Sequence, residues 1–282
     1  MSRVAIVTDS TSSMPQEIID KYPITVIPQV LIWGDQTYQD GIDINAEEFY
    51  TRLAKANIMP TTSQAKISDF QQVFTRLHEE GHEILCVLIS SKLSGTIGSY
   101  HQAKEMLPEA RIELVDSLST SMGLGFQVIE AAKAAAAGKS LAECKAAAEQ
   151  ARERTGLVLT PATLEFLHRG GRIGGGARFL GTALNIKPIL ELRDGRIEAV
   201  ERVRTRKKAL KRIIDRVEEL IAGRQPVHLA VLHANAPDEA RHLLEMATRQ
   251  IETSEELFTE VSPVVGCHAG PGTVGLAFLA GM

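Results

Sequence analysis

The sequence predicts an α/β protein in two parts, an N-terminal parallel-sheet α/β domain over residues 1–158 and a C-terminal α+β domain over residues 159–282. Three observations predict it. Through residue 155, short apolar runs alternate with segments of helical period, the rhythm of parallel strands joined by helices. After Gly156 that rhythm gives way to two apolar runs around Asp194-Gly195, a strong hairpin turn dipeptide. The chain has 282 residues, 44% hydrophobic and 23% charged, enough for two ordinary domains with real cores.

In chain order, residues 3–7 form a buried strand that runs into the hydroxyl-rich loop 8–13, and Pro15 suits the first position of a helix. Residues 24–33 read as one apolar strand closed by the turn Gly34-Asp35. Asn45 with Glu48 three residues on is a capping box, and Phe49, Leu53 and Ala56 then recur at helical spacing. The polar loop 60–64 precedes a helix over 67–80 with Phe70, Val73, Phe74 and Leu77 on one face. Residues 82–89 are mostly apolar, as in a strand covered on both faces. Loop 90–96, a helix to about Met106 and a strand over 111–115 follow. Segments 122–138 and 141–155 are two helices, the second capped by Ser140. In the second part, 157–159 is a short strand and 186–192 with 197–203 a hairpin. Segment 205–223 is a helix with Leu210, Ile213, Ile214, Val217, Leu220 and Ile221 as its stripe. Residues 227–233 read as a strand, 237–251 as a helix, 258–265 as a strand and 272–280 as an apolar terminal helix.

The formal charge of −4 excludes a global basic field for nucleic acid or anionic membranes, and 5% aromatic content argues against base-stacking platforms. No run reaches the roughly eighteen apolar residues of a membrane span, so no stable membrane insertion is expected. Cys86, Cys144 and Cys267 are odd in number and far apart, which points to a reducing compartment and against a disulfide framework or zinc site. Residues 1–8 read as a strand and not as a signal peptide; a cytoplasmic location is the expectation.

The chemistry concentrates around residues 164–190. Gly170, Gly171, Gly174, Gly175 and Gly176 fall within seven positions. That density costs backbone entropy, and it fits a chain that approaches something closely or needs positive φ. Arg172 sits inside it with a planar fork suited to a carboxylate or phosphate. A flexible linker is the competing reading. Against it, apolar residues flank the segment on both sides: Leu164, Phe166 and Leu167 before, Phe179, Leu180, Leu184 and Ile186 after.

Three segments, 8–13, 90–96 and 266–273, are expected between a strand and a helix N-terminus, where free N–H groups and a partial positive charge hold anions. Ser94, Thr96 and Thr273 serve equally well as plain N-caps; the functional reading rests on convergence with Arg172. His268, between Gly266 and Gly270, can donate to an anion or act as acid or base, or be structural; His233 is a weaker candidate. Asp9 and Asp116 end strands as caps or turn formers. The nucleotide loop GxxxxGK[ST], GxGxxG after the first strand, GxSxG and HExxH are all missing. Ser94 with His268 leaves open a small-molecule hydrolase or transferase, though no third group is evident to orient the histidine.

Several motifs in order then carry a resemblance: Thr8-Asp9-Ser10, Thr62-Ser63-Gln64, Ser94-Gly95-Thr96 within its longer loop, Asp116-Ser117 with Ser121-Met122-Gly123, Gly170-Gly171-Arg172, Asn185-Ile186-Lys187-Pro188, Arg202-Val203-Arg204-Thr205 and Gly270-Pro271-Gly272-Thr273. With them the chain resembles the DegV family, whose members include the fatty-acid-binding subunits of bacterial fatty acid kinase. The resemblance implies a two-domain DegV-like fold with a long-chain fatty acid buried between the domains and its carboxyl near the surface. It implies that Thr62 and Ser94 hold the carboxylate. It assigns the phosphorylated head group and the kinase to Arg172 and His268. Ser63, Gly95, Thr96, Gly272 and Thr273 are the candidates for supporting the site. It implies no catalytic residue, metal or cofactor in this chain, since phosphoryl transfer belongs to a separate ATP-dependent kinase subunit. One departure is Ala65-Lys66, where the family usually has proline after Gln64. Ala162, Phe179, Leu180, Leu184, Ile186, Met122 and Leu276 are the expected apolar tunnel residues.

Overall fold

Strand β1 (Arg3–Asp9) leads through a single 3-10 turn into α1 (Gln16–Lys21). β2 (Thr25–Ile27), β3 (Val30–Trp33), β4 (Gln36–Gln39), α2 (Ala46–Leu53), β5 (Thr61–Ser63) and α3 (Ile67–Glu79) follow. Next come β6 (His82–Leu88), α4 (Thr96–Glu105), β7 (Ile112–Asp116), α5 (Ser121–Ala136) and α6 (Leu141–Arg154). The second part holds β8 (Thr155–Thr160), α7 (Glu165–Arg169), β9 (Lys187–Arg193), β10 (Arg196–Val203), α8 (Arg206–Ile221) and β11 (Val227–His233). It closes with α9 (Pro237–Thr248), β12 (Glu255–Glu260), α10 (Pro263–Ala269) and β13 (Val274–Ala280). This computed structural model describes residues 3–174 and 186–282.

The first sheet runs β2-β1-β6-β7, all parallel, as the strand–helix alternation predicts. The second has six strands in the order β10-β9-β8-β13-β11-β12, antiparallel except for the β11–β12 pair. A small antiparallel sheet, β4-β3-β5, was not foreseen. It exists because Pro28-Gln29 breaks the expected strand over 24–33 in two, sending β2 to one sheet and β3 to another.

Three cores make a layered stack. On the outer face of the first sheet, Phe70, Phe74 and Tyr100 of α3 and α4 pack on Ile84, Cys86 and Leu88. On the far face of the second sheet, Ile213, Ile214 and Val217 of α8 and Leu243 of α9 cover Val158, Leu229, Val231 and Leu276. Between the sheets lies α5, with Met122, Leu124, Phe126, Val128 and Ile129 all buried. A helix apolar on every side is what burial between two sheets requires. The period of two along β8 directs Leu157 and Leu159 to this central layer and Val158 to the outer one.

Local chemistry explains the ends. Both expected caps form: Glu48 N–H donates to Asn45 Oδ1 at 2.9 Å and Asn45 N–H to Glu48 Oε2 at 3.1 Å, with the same box at Ser140 and Glu143. Asp194 and Gly195 take positive φ (47° and 79°) and turn the β9–β10 hairpin. The hairpin tip touches the first part of the chain, where Ser90 Oγ donates to the Gly195 carbonyl at 2.8 Å; a Cβ on Gly195 would collide with that hydroxyl.

Two expectations fail near the C-terminus. Residues 272–280 are predicted as a helix but form β13, paired on both sides with β8 and β11 and buried along its whole length. A continuous apolar run does not separate a buried strand from a buried helix. Residues 258–265 are predicted as a strand, yet β12 ends at Glu260 and α10 starts at Pro263 behind the cap Ser262. Segment 266–273 therefore leaves a helix and enters a strand, so it presents no helix N-terminus. Cys86, Cys144 and Cys267 are free and buried, and no helix among the described residues is long and apolar enough to cross a membrane.

Candidate functional site

At the N-terminal end of α5 the central layer opens into a cavity of about 180 Å³. Its wall is largely apolar: Ile89, Leu93, Leu157, Leu159, Leu167, Leu192, Ile197, Leu232, Val261, Val264 and Val265. Its polar residues include Thr62, Ser63, Gln64, Ser94, Arg172, His268 and Thr273. Four residues chosen from the sequence, Thr62, Ser94, Arg172 and His268, thus meet at one cavity from four different elements or loops.

Thr62 is set by β5, where it pairs with Leu31 of β3, so the Ala65-Lys66 departure leaves its strand position intact. His268 stands in the last turn of α10 and places Nε2 at 2.7 Å from Thr62 Oγ1. Burial, aided by the nearby Arg172 charge, pushes the imidazole down to about 4, so it is neutral at pH 7. Its Nδ1 is buried without a partner. An unpaired lone pair costs less there than an unpaired N–H, which assigns the proton to Nε2. Nε2–H then donates to Thr62, and the Thr62 hydroxyl proton is free to point elsewhere.

Arg172 follows the Gly170-Gly171 pair at the end of α7. Nε donates to the Leu93 carbonyl at 3.0 Å and Nη1 to the Gly170 carbonyl at 2.6 Å, which pins the guanidinium across the two parts of the chain. Gly170 has ordinary helical φ, but a Cβ there would run into the His268 ring. Ser94 sits one residue before Gly95, the N-cap of α4, with Ser94 Oγ 2.8 Å from Thr96 Oγ1. Ser63, Gly95 and Thr273 also line the cavity. Thr96 stands behind Ser94, Thr273 Oγ1 donates to the Ala269 carbonyl, and the Gly272 carbonyl accepts from Arg206.

Other expectations resolve differently. Ser94 bonds to Thr96 and His268 to Thr62, so the nucleophile–base pair that a hydrolase would need is not formed. His233 is buried at the end of β11 against the Phe258 ring, 3.6 Å from Glu260, as a structural residue. Asp116 accepts from Ser91 and Leu118 N–H groups as a turn former. Of the expected tunnel residues, Met122, Ala162, Ile186 and Leu276 do not line the cavity; Leu276 points to the outer core, one residue out of phase. Gly175, Gly176, Phe179, Leu180, Leu184 and Asn185 lie outside the described residues. Sequence reasoning missed the actual wall, because facing strands alternate and the facing set is unknown until the sheets are paired. It also missed Gln29, which only the Pro28 break marks.

Two buried groups near the site pull on stability in opposite directions. His268 sits at about 4 against an ordinary 6.5, so the folded chain binds fewer protons and its stability falls as pH drops from about 6.5 to 4. Asp40 accepts from Ser10 Oγ at 2.6 Å and from Val264 N–H, in α10, at 3.2 Å. Burial pushes its carboxyl from 3.8 up to about 6, so its contribution is complete below the lower value and is lost as pH rises through the upper one. In melting curves at stepped pH, His268→Gln should gain on the wild type from pH 6.5 down to 4, and Asp40→Asn from pH 4 up to 6. Differences that stay constant with pH would remove both assignments.

A two-domain α/β scaffold with an apolar cavity rimmed by hydroxyls, an arginine and a neutral histidine is an arrangement suited to a small, largely apolar ligand with one polar end. A family model described as uncharacterised protein, DegV family, matches residues 3–281, and the chain belongs to the DegV family. A DegV domain-containing protein of Clostridium perfringens is 36% identical over 279 residues, covering 98% of each chain. A fatty-acid-binding DegV family protein from Thermus thermophilus superposes with a TM-score of 0.92 at 35% identity, covering 99% of both chains. DegV of Bacillus subtilis, a fatty acid binding protein, superposes with a TM-score of 0.89 at 29% identity over 99% of this chain and 100% of that one.

Proposed function

We propose that this chain is a carrier that buries the tail of a long-chain fatty acid between residues 1–158 and 159–282 and presents the carboxylate to a separate ATP-dependent fatty acid kinase. It then holds the acyl phosphate for the next enzyme. The observation that carries this reading is the meeting of Thr62, Ser94, Arg172 and His268 on one mostly apolar cavity. Each buried methylene contributes about 0.8 kcal/mol, so the tail supplies the affinity. The carboxylate must not be buried unpaired, and the hydroxyls of Thr62 and Ser94 supply its donors. The Arg172 charge beside them suits the added phosphoryl group, and the phosphoryl-transfer chemistry belongs to the kinase.

Ser94→Ala tests the reading. It removes one donor to a charged acceptor, so oleate binding should weaken by roughly 1–3 kcal/mol, or about fivefold to 150-fold. Titration of delipidated protein with oleate measures it. Unchanged affinity would take Ser94 out of the site.

A further inference from the structure

We infer that Gln29 is a positioning residue for the carboxylate end of the cavity: acting through Thr96, it turns the Ser94 hydroxyl into a donor toward an ionised head group. The inference rests on the carboxylate reading above and adds to it a residue in the short link between β2 and β3.

Gln29 is 1% exposed, and its backbone is held at both ends. Its N–H donates to Ser10 Oγ at 3.1 Å, and its carbonyl accepts from Asp40 N–H at 2.9 Å. The Asp9 carboxyl group stands beside the Gln29 side-chain amide. Asp9 is fully buried and otherwise surrounded by donors: Ile89 N–H at 2.8 Å, Thr11 N–H at 3.0 Å and Thr11 Oγ1 at 2.6 Å. Of the two Gln29 amide atoms, Nε2 is the nearer to the Thr96 hydroxyl, at 2.8 Å against 3.1 Å for Oε1, so the amide turns its NH2 to Thr96 and donates to Oγ1.

Thr96 is fully buried and has one proton to give. Two acceptors are in reach, Gln29 Oε1 at 3.1 Å and Ser94 Oγ at 2.8 Å. When Thr96 donates to Ser94, the bonds run in one direction, from Gln29 Nε2–H to Thr96 O–H to Ser94 O–H and out into the cavity. Each bond polarises the next, and the last hydroxyl becomes a stronger donor. The His268–Thr62 pair forms a second arm of the same sense from the opposite wall. Two donor arms favour an ionised carboxylate over a protonated acid or an ester. Asp9, Gln29 and Thr96 are the buried frame that gives the Ser94 arm its direction.

The test is a pH titration by NMR of [1-13C]palmitate bound to the full chain, which reads the ionisation midpoint of the bound carboxyl group itself. Loss of a donor to the charged form raises that midpoint. Gln29→Met and Thr96→Val should each move it upward by about one pH unit. The double variant should move it no further than either single change, because both cut one relay. Thr96→Ser keeps the hydroxyl and should restore the wild-type value. If Gln29→Met does not fold, Thr96→Val with its serine rescue carries the same test. Variants that bind the labelled palmitate with a wild-type midpoint would overturn the inference, as would Thr96→Ser shifting as far as Thr96→Val. A wild-type protein with no bound carboxyl resonance would instead bring down the carboxylate reading, and the inference with it.

Discussion

Arg172→Ala should leave fatty-acid uptake nearly intact while kinase-coupled phosphorylation of the bound acid falls by about 10²–10³, the size of effect seen when a preorganised donor to developing charge is removed. The apolar wall of the cavity, which includes Leu157, Leu159 and Ile197, is not touched by the substitution. The structural cost is modest, since it frees the carbonyls of Leu93 and Gly170, each losing a bond worth about 1 kcal/mol. A second readout needs no kinase. The Arg172 charge helps to hold the His268 imidazole down, so in Arg172→Ala the His268 titration followed by NMR should move up. Undiminished coupled turnover, or an unmoved His268 titration, would contradict the place given to this guanidinium.

Gly170→Ala is the second large effect. Gly170 sits at φ −74°, ψ −8°, a conformation that alanine adopts freely, so backbone strain is not the issue. Its added methyl would meet the His268 ring, which already reaches across to Thr62. The ring must move, and the Thr62–His268 bond goes with it. Overpacking of this kind costs typically 1–3 kcal/mol, and ligand affinity should fall in the same variant. Gly171→Ala is the control. Gly171 has φ +70° and open space around its missing side chain, so alanine there carries strain but no collision. Denaturant melts should show both variants destabilised, with the His268 NMR signal and ligand affinity changed only in Gly170→Ala. Equal effects of the two variants on His268 would remove the packing argument.

These residues also show how far the chain could be read before folding. The chain was legible wherever its signals are local and agree with one another. The Asn45–Glu48 and Ser140–Glu143 boxes, the apolar faces of α3 and α8 and the Asp194-Gly195 turn each state their own geometry. The C-terminal stretch was misread where the local signal is silent. Nothing in the apolar run of β13 distinguishes strand from helix until β8 and β11 are seen on either side of it. The Ser262-Pro263 cap of α10 was present but was overruled by the apolar residues around it.

The site divides in the same way. Arg172 stood out from composition, as a fork among glycines, and Ser94 from its loop. The partnership of Thr62 with His268 spans 206 positions, and the family resemblance named the two residues without describing their bond. The apolar wall had no marker at all and Gln29 only the Pro28 break beside it, because their roles depend on which strands face each other and in what phase.

The proposed carrier function requires the cavity between the two sheets to be an acyl site. The most direct measurement is mass spectrometry of small molecules released when the protein, purified without added lipid, is denatured in organic solvent. The expected result is a long-chain fatty acid in close to one-to-one ratio with the chain, or, if the preparation is empty, one-to-one uptake of added oleate or palmitate. Protein that releases no fatty acid and takes up neither acid would contradict it.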